Sequence, residues 1–194
     1  MATAWAGFII STRGATMKRI TTLAVIAYAM FAAIPLGIHA QPSPAAGRDS
    51  LARALVGAWL PLESGLVVSS TQGTPISAKY EIDNGTFQLS VYTVKADAFA
   101  GESFGEVVVD FNTGTVARVE AITDSGDLAA AQGQKAAMVI ARRSLAEATA
   151  EAVNANAGYR AVSAIPGVDG GGRPVAEVTL VRRSDWKVVS GHLN

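Results

Sequence analysis

The sequence predicts an α+β fold in which a helix packs on an antiparallel β-sheet, and it predicts that this unit occurs twice. Three observations carry the expectation. Asn84-Gly85, a dipeptide suited to two-residue hairpin turns, sits between stretches of alternating apolar and polar residues. Residues 128–155 are rich in Ala, Gln, Glu, Lys and Arg, which favour helix. A helical pattern followed by strand patterns fills residues 50–123, and the same order returns in residues 124–194. Each sheet needs a helix on one face to cover its apolar side.

The chain begins with an address. Met17-Lys18-Arg19 is basic, Ile20 to Leu36 carries no charge, Pro35 and Gly37 interrupt the run, and Ala40 is small. A positive start, an apolar stretch and a small closing residue describe a secretory signal peptide. Residues 1–40 are therefore expected to be a cleaved signal, with Met17 as the true start, and the mature chain is expected to be periplasmic or secreted. The other reading is an uncleaved anchor, because the apolar run reaches only the lower limit for spanning a bilayer. Residues 41–49, opening on Gln41-Pro42-Ser43-Pro44, read as a flexible lead-in.

The first unit then starts with a helix. Leu51, Leu55 and Trp59 recur at i, i+4 and i+8 and share one helical face, which makes Trp59 a core residue. Asp49 or Ser50 is a suitable cap, and Pro61 ends the helix. Strands are expected over Lys79–Asp83 and Phe87–Lys95, with Phe87, Leu89 and Val91 on one face. Residues 96–103 read as a loop. Gly105–Asp110 and Thr115–Val119 are strands joined by the turn Phe111-Asn112-Thr113-Gly114.

In the second unit Asp124-Ser125-Gly126-Asp127 is a turn. Leu128 to Ala155 is one helix or two. Ser144-Leu145-Ala146-Glu147 has capping-box spacing and favours a fresh start, whereas the lack of Gly or Pro near Arg142-Arg143 favours continuity. Ser50-Leu51-Ala52-Arg53-Ala54 and Ser144-Leu145-Ala146-Glu147-Ala148 match as two helix openings. Strands follow over 159–165, 175–181 and 186–190, turned by Asp169-Gly170-Gly171-Gly172 and Ser184-Asp185.

Composition removes whole classes of chemistry. The 194 residues include no cysteine, which excludes disulfides, thiolate nucleophiles and zinc-thiolate sites. Beyond residue 40 there are thirteen basic and sixteen acidic residues, so no basic face for nucleic acid is expected. Charge is split: residues 41–124 carry −5 and residues 125–194 carry +2. His192 is the one histidine past the signal, and a histidine at a chain end is a poor general base. Asp83, Glu102, Glu106, Asp110, Asp124 and Asp127 crowd the first half, with Glu81 and Asp83 on one strand face. Their loops read as Asx turns and helix N-caps more simply than as a calcium site. No catalytic, cofactor-binding or metal-ligating residue is therefore assigned.

The hairpin Glu106-Val107-Val108-Val109-Asp110-Phe111-Asn112-Thr113-Gly114-Thr115-Val116, a strand ending in Val-Asp before a Thr-Gly turn, resembles the PepSY domain. The opening Ser144-Leu145-Ala146-Glu147-Ala148 is similar to the helix start of that family. The resemblance covers most of residues 50–194, although Ser184-Asp185-Trp186 replaces the Thr-Gly turn in the second copy. It implies one helix on an antiparallel sheet in each of two units, residues 50–123 and a degenerate 124–194. Some members are inhibitory propeptides of secreted metallopeptidases. The expectation is thus an exported, non-enzymatic protein-binding module with no cofactor, whose partner is a peptidase or another envelope protein. Neither nucleic acid nor, after signal cleavage, membrane is expected as a partner. Candidate contact residues are Trp186 as an aromatic anchor, Arg182 and Arg183 as a basic doublet, and Asp110 and Asn112 in the hairpin turn. The alternative is a small-ligand carrier or sensor accessory with a pocket between helix and sheet.

Overall fold

Alternation of apolar and polar residues in seven segments builds one sheet rather than two. The computed structural model describes residues 44–97 and 101–194, so the signal expected over residues 1–40 lies outside the described residues. Four helices, α1 (Pro44–Leu55), α2 (Leu62–Ser69), α3 (Ser125–Val139) and α4 (Leu145–Asn154), accompany seven strands. The strands are β1 (Thr74–Asp83), β2 (Thr86–Asp97), β3 (Gly101–Asp110), β4 (Thr115–Ala121), β5 (Arg160–Val168), β6 (Pro174–Arg182) and β7 (Asp185–His192). They form a single antiparallel sheet in the order β4-β3-β2-β1-β5-β6-β7. The two halves therefore share a sheet, joined where Ala78 pairs with Ala164 and Lys79 with Ser163.

From that seam the strands run outward in chain order, β1-β2-β3-β4 on one side and β5-β6-β7 on the other. Both central strands carry an irregularity around their third residue, Ile76 in β1 and Val162 in β5. On one face, α2 and α4 cover Ala78, Tyr80, Leu89, Val91, Val107, Ala164, Val178 and Leu180, all at most 2% exposed. On the other, α3 covers Ile76, Tyr92 and Phe104. Trp186 occupies the same place on the third strand of the second half as Phe104 does on that of the first: one pairs with Val181, the other with Val94. There Arg48 of α1 lies 5.8 Å from the Trp186 ring.

Several expectations are corrected. The stretch 44–49 is helical, not a flexible lead-in. Ser50 lies inside α1 and Ser144 is an N-cap, so the two Ser-Leu-Ala sequences are not equivalent openings. The helix stops at Leu55, and Trp59 is 72% exposed beside Gly114 instead of in the core. The chain turns at Gly57 and restarts after Pro61 as α2, a short apolar helix whose Leu62 and Leu66 are each 1% exposed. Residues expected as a loop extend the hairpin: β2 reaches Asp97 and β3 begins at Gly101. Between α3 and α4 the capping box prevails. Ser144 Oγ accepts from the Glu147 N–H at 3.2 Å and Glu147 accepts from the Ser144 N–H at 2.9 Å. The break at Arg142 and Arg143 is held by their N–H groups donating to the Leu193 carbonyl.

Candidate functional site

Polar residues at alternate positions of β1 to β4 meet on the sheet face opposite α2 and α4. In β1 these are Lys79 and Glu81, which pair across the ladder with Ser90 and Gln88 of β2. Farther out, Tyr92 of β2 pairs with Glu106 of β3, and Glu106 with Glu120 of β4, while Arg118 of β4 stands opposite Val108. Side chains two apart on one strand, and diagonal neighbours on adjacent strands, lie within reach of one another on this face. Ser90 Oγ donates to Glu106 Oε1 at 2.7 Å, and Gln88 Nε2 donates to Ser90 Oγ at 2.9 Å and to Glu106 Oε1 at 3.3 Å. Arg118 Nη2 donates to Gln88 Oε1 at 3.3 Å. Ion pairs flank the network: Lys79 with Glu81 at 2.6 Å, and Arg118 with Glu120 at 2.7 Å.

Burial sets the electrostatics of this strip. Gln88, Ser90 and Glu106 are 5%, 0% and 5% exposed. Desolvation raises the Glu106 carboxyl above its ordinary value of 4.5; Glu81 adds to this, and the Ser90 hydrogen bond, Lys79 and Arg118 oppose it. Burial also pushes the neighbouring Tyr92 phenol up, with Glu106 and Glu81 reinforcing the shift. Its hydroxyl is buried without a hydrogen-bond partner, and Lys79 Nζ lies 5.5 Å from its ring centre. The inner groups Gln88, Ser90 and Glu106 are thus a buried, mutually fixed network, and the part of the strip open to a complementary surface is its rim: Lys79 and Glu81, partly exposed, and Arg118 and Glu120, with side chains 42% and 44% exposed.

The residues expected to contact a partner fall elsewhere. Asp110 ends β3 and Asn112 lies in the turn after it, where Asp110 Oδ1 accepts from the Asn112 N–H at 2.8 Å and the Thr113 N–H at 3.4 Å. This Asx turn is the geometry its sequence implies. Arg182 and Arg183 form the β6–β7 turn, Arg183 at φ 59, and line an open groove with Gly158, Ser184 and Asp185. The Arg182 guanidinium stacks 4.7 Å from the Tyr159 ring. Trp186 is half-buried against the main core and its indole N–H has no partner. Both turns lie at the same end of the sheet. Strands β3 and β6 are four positions apart, about 19 Å at ~4.8 Å per strand, so the five residues do not form one site.

Of the other expected turns, 124–127 is instead the start of α3, which begins at Ser125 and not at Leu128, and 169–172 is a hairpin turn. Asp124 caps α3 by accepting from the Gly126 and Asp127 N–H groups at 2.8 and 3.2 Å. Asp169 closes its glycine-rich hairpin by accepting from the Gly171 and Arg173 N–H groups. His192 is exposed at the end of β7. Among the described residues no cluster of three or more His, Cys, Asp or Glu is placed to hold a metal ion, and no helix is long and apolar enough to cross a membrane.

Of the strip, only Glu81 and Glu106 stand out among the clustered acids of the sequence. Lys79, Gln88, Ser90, Arg118 and Glu120 are the polar half of the alternation that defines the strands. The signal for them was that a polar set recurs on four successive strands, which becomes a surface only once strand order is known. No family model, curated protein or solved structure matches the chain.

Proposed function

We propose that this chain is an exported protein-binding module of the kind the PepSY resemblance implies, built from a duplicated helix-and-sheet unit, and that it acts on a peptidase or another envelope protein. The observation that carries the reading is the polar strip Lys79–Glu81–Gln88–Ser90–Glu106–Arg118. It lies on the sheet face that α3 partly covers, and its buried members Gln88, Ser90 and Glu106 hold the more accessible Lys79, Glu81 and Arg118 in place before any partner arrives. Such preorganisation lowers the ordering cost of association. The strand order running outward from the seam, the irregularities at Ile76 and Val162 and the matched aromatics Phe104 and Trp186 support the duplication. The repeating unit they suggest is two helices and at least three strands, with α2 corresponding to α4.

The carrier alternative lacks a comparable observation. Between α2, α4 and the sheet, Leu62, Leu66, Leu145 and Ala148 fill the space, each at most 2% exposed, and the groove between α3 and β3, lined by Glu102, Phe104, Gln132 and Lys135, is open to solvent and crossed by the Lys135–Glu102 ion pair. The test is the turnover of peptidases exported by the same cell, measured with and without the purified chain. Slowing by the chain, weakened by Lys79→Ala together with Glu81→Ala, is the expected result. If no peptidase of that compartment is slowed, the inhibitory version is discarded.

A further inference from the structure

Strand β4 ends the sheet on one side, and all its residues except Val116 are exposed. The Ile122 N–H donates to the Phe104 carbonyl at 3.0 Å, and the register continues through Glu106 opposite Glu120 and Val108 opposite Arg118. Antiparallel ladders alternate inward and outward main-chain groups. Arg118 and Glu120 therefore turn their N–H and C=O groups toward β3, and Val119 and Ala121 turn theirs away from the sheet. An open edge of this kind is a template for another strand.

The side chains select which strand. We propose that β4 pairs antiparallel with β4 of a second copy of this chain, Val119 opposite Val119, joining two seven-stranded sheets into one. In that register Arg118 of each copy stands opposite Glu120 of the other, and the two Val119 side chains, each 51% exposed, cover one another on the opposite face. The central pair exchanges two main-chain hydrogen bonds, and Ala121 faces Ala117, which lies at the irregularity in the β3–β4 ladder. The two neighbouring registers that keep outward groups facing each other fail. One sets Arg118 against Arg118 and the other sets Glu120 against Glu120, and like charges directly opposed across strands are unfavourable. The sequence Arg118-Val119-Glu120 is thus self-complementary about its centre.

Sedimentation equilibrium of the full chain over a range of concentrations tests the pairing. A rise from the mass of one copy to that of two is expected. Arg118→Glu alone and Glu120→Arg alone should each weaken the dimer at least about tenfold, since each sets like charges in opposition. An equimolar mixture of these two variants, and the double swap R118E/E120R, should restore association. Val119→Pro removes only an outward donor and should abolish the dimer while far-UV circular dichroism stays unchanged. The inference is overturned by a chain that keeps the mass of one copy at every concentration, by a dimer insensitive to the charge variants or to Val119→Pro, or by failure of both the mixture and the swap to restore it.

Discussion

Glu106 is where a single residue departs most from its surroundings: a carboxylate on a sheet face, 5% exposed, holding two side-chain donors. Because its folded pKa is raised, the folded chain keeps this proton to higher pH than the unfolded chain does. The stability it contributes is full below the ordinary carboxylate value and declines as pH rises through the folded value. Glu106→Gln keeps the shape and an acceptor, so the difference in unfolding free energy between variant and parent should grow from about pH 4 toward neutrality in urea titrations. Glu106→Ala strands Ser90 and Gln88 without that acceptor and should cost about 1–3 kcal/mol. The carboxyls of Asp110, Glu147 and Asp169 act in the other direction. The N–H groups of Asn112, Ser144 and Arg173 hold them below their ordinary values, so their contribution is present above those values and fades as acid is added. The sequence displayed these three as turn and cap residues, because each bonds to main chain within four positions. It displayed Glu106 only as an acid in a strand, since its burial depends on neighbours brought by β2 and β4.

Elements show where local and distant forces compete. The break between α3 and α4 has a local part, a capping box that satisfies two N–H groups at once, and a distant one, the Leu193 carbonyl that accepts from Arg142 and Arg143. Ser144→Ala should lower stability by about 1 kcal/mol, read as a lower midpoint in thermal unfolding. Helix α2 is the opposite case. It has only eight residues, no side-chain cap and an apolar sequence without a clear helical period, so nothing local announces it. Its position comes from close approach to the sheet: a Cβ at Gly65 would run into the Leu89 side chain. Gly65→Ala should therefore destabilise by about 1–3 kcal/mol through overpacking, although alanine favours helix, and the same thermal measurement separates the two effects by sign. Trp59 follows from α2. Once the chain must turn at Gly57 to place Leu62 and Leu66 against the sheet, Trp59 is carried outward, and the i, i+4, i+8 pattern has no helix to act on.

The two halves share one sheet and one core. Leu66 of the first half and Leu145, Val178 and Leu180 of the second belong to the same buried cluster, and β1 pairs directly with β5. Arg160 also ties the halves, its guanidinium donating to the Leu55 and Leu60 carbonyls at 2.8 and 3.3 Å. Calorimetry should show a single transition whose calorimetric and van't Hoff enthalpies agree. Residues 44–123 produced alone should lack one, because α2 and the edge of β1 would lose the surfaces that cover them.

Alone, the sequence determined the α+β class and the hairpins at Asn84-Gly85, Asp110–Gly114 and Asp169–Gly172, because turn chemistry acts within a few residues; it offered a fresh start at Ser144 as one of two readings, which the structure decided. Only the tertiary structure decided that the two halves share a sheet, that α2 exists, and that polar residues from four strands align into one strip. Strand order and layer packing arise from contacts between segments far apart in the chain, and alternation within a strand states which residues share a face without stating what that face meets.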